Sequence, residues 1–325
     1  MSVQQTAGQT PLTTAILERY GTALAGAAVI IFFVLTAPNF ASPGNLLNIV
    51  KETSFLAILA LGFALALTVA ELDLSIAEVA SLAAVAGGWC IQTGQSPAIA
   101  AAAALTIGAT LGAANGFGVT VLKVPSLIMT LGTAAIAKGL AFYITQGVTF
   151  VGRWPEGFTG IARGATFGIS NLIWCLTIVV AFCLVLVKFT RIGAHMTATG
   201  EAEEAARRAG IATKRMKRLG MTLSGVLSSV TAVLLAANLS SAAPNMAGDF
   251  FLYAIAAVLL GMTMFEPGHP NVAGTVFSAL ILKSLGNGLV LLGAPYYTQD
   301  IVLGIVIIGS VALSAGFMQK AAFKV

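Results

Sequence analysis

The chain of 325 residues is 58% hydrophobic and 9% charged, with a formal net charge of +5. An ordinary soluble domain carries about 25% charged residues, and an aqueous core cannot absorb so large an apolar excess, so a water-soluble enzyme or binding module is excluded. The solvent for this fold is lipid.

A helix crossing a hydrocarbon layer of about 30 Å needs about 20 apolar residues. In chain order, apolar stretches of that kind occupy 21–37, 55–70, 74–92, 98–121, 127–144, 171–187, 221–243, 251–264, 272–292 and 301–316. Unpaired backbone amides in hydrocarbon cost several kcal/mol each, so only helices or a closed barrel span. None of these stretches alternates as strands do, and an all-α polytopic bundle of about ten transmembrane helices is predicted.

Residues 1–20 are polar, place Arg19 beside Glu18, and lead into an apolar block with no small-residue cleavage site, so they are expected to be a retained cytoplasmic tail. The membrane domain is then 21–319, with a cytoplasmic loop at 188–219, and 320–325 forms a second cytoplasmic tail. With this topology, twelve of the seventeen Lys and Arg fall on the cytoplasmic side: Arg19, Lys123, eight within 188–218, Lys320 and Lys324. That bias is the positive-inside pattern. The excess positive charge collects where anionic lipid lies, and no nucleic-acid partner is needed to explain it.

Cys90, Cys175 and Cys183 lie in apolar spans without a C-x-x-C spacing, and read as small buried hydrophobes rather than a disulfide or metal framework. On one face of the fourth stretch, Ala104, Gly108, Gly112 and Gly116 recur every four residues, a stripe that lets two helices approach closely. The outward segment 146–168 holds Gly147, Gly152, Gly157, Gly160, Gly164 and Gly168 with Trp154 and Pro155, and is expected to be an irregular or re-entrant loop. Segments 54–75 and 250–269 each run as an apolar helix into a Glu and a polar break, the weak signature of a repeat.

Between the second and third stretches stand Glu71, Asp73, Ser75 and Glu78. Carboxylates at such a place are an acid/base set or an ion site on one reading, and on the other loop and capping residues, since Asp73 and Ser75 are natural helix caps. No H-E-x-x-H, G-x-S-x-G or metal-ligand run accompanies them. Lys138 and Lys283, with Asn287 one turn beyond, are polar groups inside apolar spans. They are candidates to line a solute pathway, or lysines that snorkel to an interface.

Within 188–219, residues 199–210 read as one short helix, with Glu201, Glu203 and Glu204 early, Arg207 and Arg208 late, and Gly210 as the C-terminal cap. Glu203 with Arg207, and Glu204 with Arg208, are spaced as i,i+4 ion pairs. Ala202, Ala205, Ala206 and Ala209 share one face, a narrow apolar stripe that either stays solvated on a topology anchor or docks in a partner's groove. The chain contains no G-x-x-x-x-G-K-[ST], so it binds no ATP by a P-loop and any ATP must be used by another subunit.

These residues resemble a known family, the ribose-type (monosaccharide) permease subunits of bacterial ATP-binding-cassette (ABC) importers, themselves related to branched-chain amino-acid permeases. The resemblance runs from about Asn45 to Ala315. Its carriers are Asp73, Leu74 and Ser75; Asn115 and Gly116 followed by KVPSLIMTLGT at 123–133, which includes Pro125; residues 200–211; AVLLG at 257–261; and GNGLVLLG at 286–293. It implies about ten helices, both termini cytoplasmic, two permease subunits alike or different, two cytoplasmic ABC ATPase subunits, a periplasmic solute-binding protein, and a place in the bacterial inner membrane. Residues 200–211 then correspond to the ATPase-coupling helix. The family usually places Gly-Gly before its Ile-Asp-Leu-Ser and a glycine-rich turn in the late cytoplasmic loop. Here stand Ala70 and Glu71, and the run from Glu266 to Pro270. The expected function is an importer permease passing a sugar or sugar-like solute. The alternatives are an ion-coupled secondary transporter using Glu71, Asp73 or Lys138, and a membrane-embedded enzyme.

Overall fold

The computed structural model describes the backbone of residues 12–322 and the side chains of residues 20–310. In chain order its elements are α1 (Leu12–Thr36), α2 (Pro43–Leu67), α3 (Ile76–Gln92), α4 (Pro97–Thr120), α5 (Ser126–Thr145), β1 (Phe150–Val151), α6 (Glu156–Arg163), β2 (Ala165–Thr166), β3 (Ile169–Ser170), α7 (Asn171–Phe189), α8 (Arg191–Glu201), α9 (Glu203–Arg208), α10 (Thr213–Leu239), β4 (Ser241–Ala242), α11 (Phe250–Gly261), α12 (Val272–Leu291) and α13 (Tyr297–Ala322). Each of the ten apolar stretches carries a helix. Six of these, α2, α4, α5, α7, α10 and α12, are long and apolar enough to cross a membrane, while α3, α11 and the stretches Tyr20–Thr36 and Tyr297–Ser310 are shorter apolar helices.

Helix ends follow local chemistry more than hydropathy. Helix α2 starts well before its apolar run because the Ser42 hydroxyl caps Asn45 N and Pro43 occupies the first turn. Ser96 and Pro97 start α4 in the same way. Helices α1 and α13 run past the edges expected at 20 and 320, and residues 1–11 and 323–325, with Lys324, lie outside the described residues.

Helices α2 and α10 are buried on nearly every side and form the centre of the bundle. Helix α10 packs most extensively on α4 and then on α2. The α4 stripe explains this contact. A Cβ on Gly112 would stand 2.6 Å from Met221 O and 3.0 Å from Thr222 Cα, and one on Gly116 would stand 2.8 Å from Arg218 Cα. From the α10 side, Gly225 meets the Gly108 carbonyl and the Gly112 backbone. Two backbones thus touch with no side chain between them.

The segment 146–168 is more ordered than expected. Strand β1 pairs antiparallel with β4, Phe150 opposite Ala242, and β2 pairs with β3. Between them α6 buries Phe158 and Ala162 beside Trp154, with Glu156 in its first turn and Arg163 in its last. Glycine abundance hid this apolar face. These four two-residue strands are the departure from an all-α chain among the described residues.

The two segments that resemble one another also end alike. Ala70 and Phe265 both take left-handed backbone, φ 58° and 60°, immediately before Glu71 and Glu266. Each Glu then pairs with a lysine, Lys217 and Lys188, at 2.8 and 2.7 Å. Phe55 and Phe250 meet edge to face where α2 and α11 pack.

Gly112→Val forces α4 from α10, an overpacking that costs about 1–3 kcal/mol. The expected result is a lowered thermal unfolding midpoint of the purified protein in detergent, whereas Gly44→Ala, where nothing lies within 4 Å, leaves it unchanged.

Candidate functional site

The break between α2 and α3 gathers buried polar groups from three helices. Asp73, Ser75, Asn115 and Thr130 are all buried. Asp73 Oδ1 accepts from Ser75 N at 3.0 Å and from Ser75 Oγ at 2.5 Å; Asn115 Nδ2 on α4 donates to Ser75 Oγ at 3.0 Å; Thr133 Oγ1 on α5 donates to Asn115 Oδ1 at 2.5 Å. Leu74 N donates to Thr130 Oγ1 at 3.1 Å and Leu72 N to Ser126 Oγ at 3.3 Å. Ser75 occupies the N-cap position of α3 but makes no side-chain cap. Its hydroxyl is taken by Asp73, so the capping expectation gives way to a network joining α3, α4 and α5. Pro125 sets the start of α5, its carbonyl accepting from Ile128 N and Met129 N.

The charged segment 188–219 is seated directly on this break. Helix α8 buries Met196 and Thr199, and Gly200 lies so close to the Thr68 carbonyl that no side chain would fit. The expected single helix over 199–210 is in fact two. Ala202 takes φ −153° and ψ 80°, which ends α8 at Glu201 and starts α9 at Glu203. The contact of Gly200 with Thr68 fixes the end of α8, and the chain must turn to present α9. Gly210 closes α9 with φ 84°, while Gly210 N donates to Arg207 O and Ile211 N to Ala206 O, both at 3.0 Å, as a glycine cap requires.

Of the two i,i+4 ion pairs expected, Glu204 with Arg208 forms and Glu203 with Arg207 does not. Glu204 binds Arg207 at 2.8 Å and Arg208 at 3.5 Å. The Arg207 hydrogen bonds hold the Glu204 carboxyl below its ordinary range. Glu203 instead turns inward to Lys217 at 2.7 Å, and Lys217 also holds Glu71 at 2.8 Å. Glu201 lies 3.5 Å from His269 in the α11–α12 turn. Of the four alanines, Ala206 is buried against the bundle, while Ala202, Ala205 and Ala209 are exposed. Arg207, Lys214, Arg215 and Arg218 line a groove of ≈ 520 Å³ beside α9.

A second feature lies between α2, α11, α12 and the start of α13. A cavity of ≈ 870 Å³ is lined by Lys283 and Asn287 together with Asn48, Glu52, Asp249 and Asp300. Lys283 Nζ stands 3.5 Å from Glu52 and 4.5 Å from the centre of the Phe250 ring. Asn287 and Asn45 exchange amide hydrogen bonds at 2.9 and 3.0 Å. Lys138 does not line this cavity; it is exposed on α5. Asp249 and Asp300 are inconspicuous in the sequence because each sits at a helix start, where a carboxylate is unremarkable, and Glu52, in the third turn of α2, because it stands just ahead of the apolar run. Among the described residues, no group of three or more His, Cys, Asp or Glu is placed to hold a metal ion.

A model of the branched-chain amino acid transport system permease component family matches residues 45–311. The chain belongs to that family. It is 33% identical over 313 residues to the ribose import permease protein RbsC of Escherichia coli K12, covering 95% of this chain and 97% of the relative. The L-arabinose transport system permease protein AraH of the same organism is 31% identical over 306 residues, covering 94% and 93%. The autoinducer 2 import system permease protein LsrC of Yersinia enterocolitica is 28% identical over 300 residues, covering 90% and 81%. The family is one of permease components, transport subunits rather than enzymes, and the chain is a multi-pass membrane protein of that kind.

Asn115→Ala leaves the hydroxyls of Ser75 and Thr133 short of partners inside the bundle, a loss of about 1–3 kcal/mol. The expected outcome is a lower unfolding midpoint in detergent, with a smaller fall for Thr133→Ser, which keeps the hydroxyl.

Proposed function

We propose that this permease is one membrane subunit of a bacterial inner-membrane ABC importer that passes a sugar or sugar-like solute. In this reading ten helices span, both termini are cytoplasmic, and the bundle works with a second permease subunit, identical or not. A periplasmic binding protein delivers the solute. Two ATPase subunits bind the ATP, and this chain holds no cofactor of its own. The solute class rests on relatives named for ribose, arabinose and autoinducer 2 import.

The observation that carries the coupling part is α9 itself. A six-residue helix, clasped at Glu203 and buried at Ala206, presents Ala205, Ala209, Arg207 and Arg208 outward from the membrane bundle. Such a rigid, exposed knob beside a basic groove suits a cleft on an ATPase. ATP-driven closure of the ATPases then pushes on residues 201–210 and alternates the access of the bundle.

Because Ala206 packs inward, the docking test belongs at the exposed positions. Ala205→Glu with Ala209→Glu leaves the bundle folded, since exposed substitutions usually change stability by no more than about 0.5 kcal/mol. Loss of ATPase co-purification is expected. Full retention of the ATPase, or solute uptake by the chain alone in liposomes driven by a proton or sodium gradient, would sink the reading.

Lys283 and Asn287 are assigned to the solute pathway through the cavity they share, whereas Lys138, exposed on α5, stands apart from that cavity. A hydrogen bond to a charged group is worth about 1.5–3 kcal/mol, so Lys283→Met is expected to reduce uptake roughly tenfold or more while the ATPase stays bound. Unchanged uptake would remove Lys283 from the pathway.

A further inference from the structure

Lys217 lies in the second turn of α10 and is the cation between two carboxylates that belong to different parts of the molecule. Its Nζ is 2.8 Å from Glu71 Oε1, in the α2–α3 break, and 2.7 Å from Glu203 Oε2, at the start of α9. Exposure separates the two ends of this bridge. The side chains of Lys217 and Glu71 retain 17% and 8% of their surface, that of Glu203 47%. The inner pair is therefore shielded from water, where an ion pair is screened little, and the outer carboxylate reaches it from the docking helix.

The inner end is attached to strained backbone. Ala70 holds φ 58°, a conformation that L residues seldom adopt and that a glycine would take freely. Ala70 N and Glu71 N donate back to Leu67 O and Ala66 O at 2.9 and 3.1 Å, and Gly200 of α8 presses on Thr68. From Glu71 the chain passes at once into Leu72, Asp73, Leu74 and Ser75, whose backbone and side chains are bonded to Ser126 and Thr130 on α5 and to Asn115 on α4.

We infer that Lys217 is the positioning residue that ties the docking helix to the α2–α3 break, so that displacement of α9 reaches α5 through Glu203, Lys217 and Glu71. This rests on the coupling role proposed above and names the route inside the permease. Glu71 is then the group that holds this turn by a fixed ionic contact. The bridge is a contiguous chain of ion pairs with a shielded centre and an exposed outer end, the kind of packed network through which coupling between sites is carried.

The test reads motion of α5 and needs no identified solute. The full permease, its cysteines replaced by alanine, carries a spin label at Gly132→Cys, an open position on α5 where an added Cβ meets nothing within 4 Å. The complex with its ATPase is trapped with ATP and vanadate. In the parent, trapping is expected to change the label's spectrum. In Lys217→Met the ATPase remains bound and the responding fraction falls at least about fivefold, the lower edge of ordinary site-to-site coupling; Lys217→Arg restores it. Glu203→Gln, at the exposed end, gives the same loss and serves where Lys217→Met does not fold. An unchanged response in Glu203→Gln or Lys217→Met overturns the bridge, as does a parent complex that binds ATPase with a silent label. A parent that binds no ATPase overturns the coupling role itself.

Discussion

Between Leu67 and Ile76 the chain gives up helical hydrogen bonding while Asp73 and Ser75 stay buried among neighbouring helices. Every buried donor and acceptor there has to be met by protein. The response is local and dense: Ser126 and Thr130 meet the backbone of Leu72 and Leu74, and Asp73 is bonded by Ser75, which is held in turn by Asn115. The neighbouring helices are placed by this need. Helix α5 must start at Pro125 to bring two hydroxyls alongside, and α4 must pass close enough for one amide to reach.

Elsewhere the bundle keeps its polar groups inexpensive. Thr53, Ser81 and Ser228 return their hydroxyls to carbonyls four residues earlier, which consumes donors without calling on another helix. The break instead joins α3, α4 and α5 in one network, and the ionic bridge of Lys217 lies against it on the side of the charged segment.

The positions of the ten helices were legible because hydropathy is a property of consecutive residues. Their starts were less so: Ser42 and Pro43 begin α2 in a polar stretch that hydropathy alone assigns to a loop. The charged segment was recognisable from Glu201 to Gly210, and Gly210 does cap it. The interruption at Ala202 was hidden, since it follows from a meeting of Gly200 with Thr68, far apart in the chain. For the same reason the spacing assigns Glu203 to Arg207, four residues on. A cation shielded by the bundle outcompetes an exposed one, and no spacing rule within one helix reveals that. Lys283 and Asn287 stand out as polar residues in an apolar span, but Glu52 becomes visible only when α2 and α12 are side by side.

The glycine contact of α4 with α10 has a mechanical meaning. Where side chains interdigitate, rotamer changes can absorb a slide; where carbonyl meets glycine, at Gly108 with Gly225 and Gly112 with Met221, there is nothing to rearrange. The two helices are therefore joined here as one stiff beam. Lys217 sits near one end of that beam, where a small push has the longest lever arm.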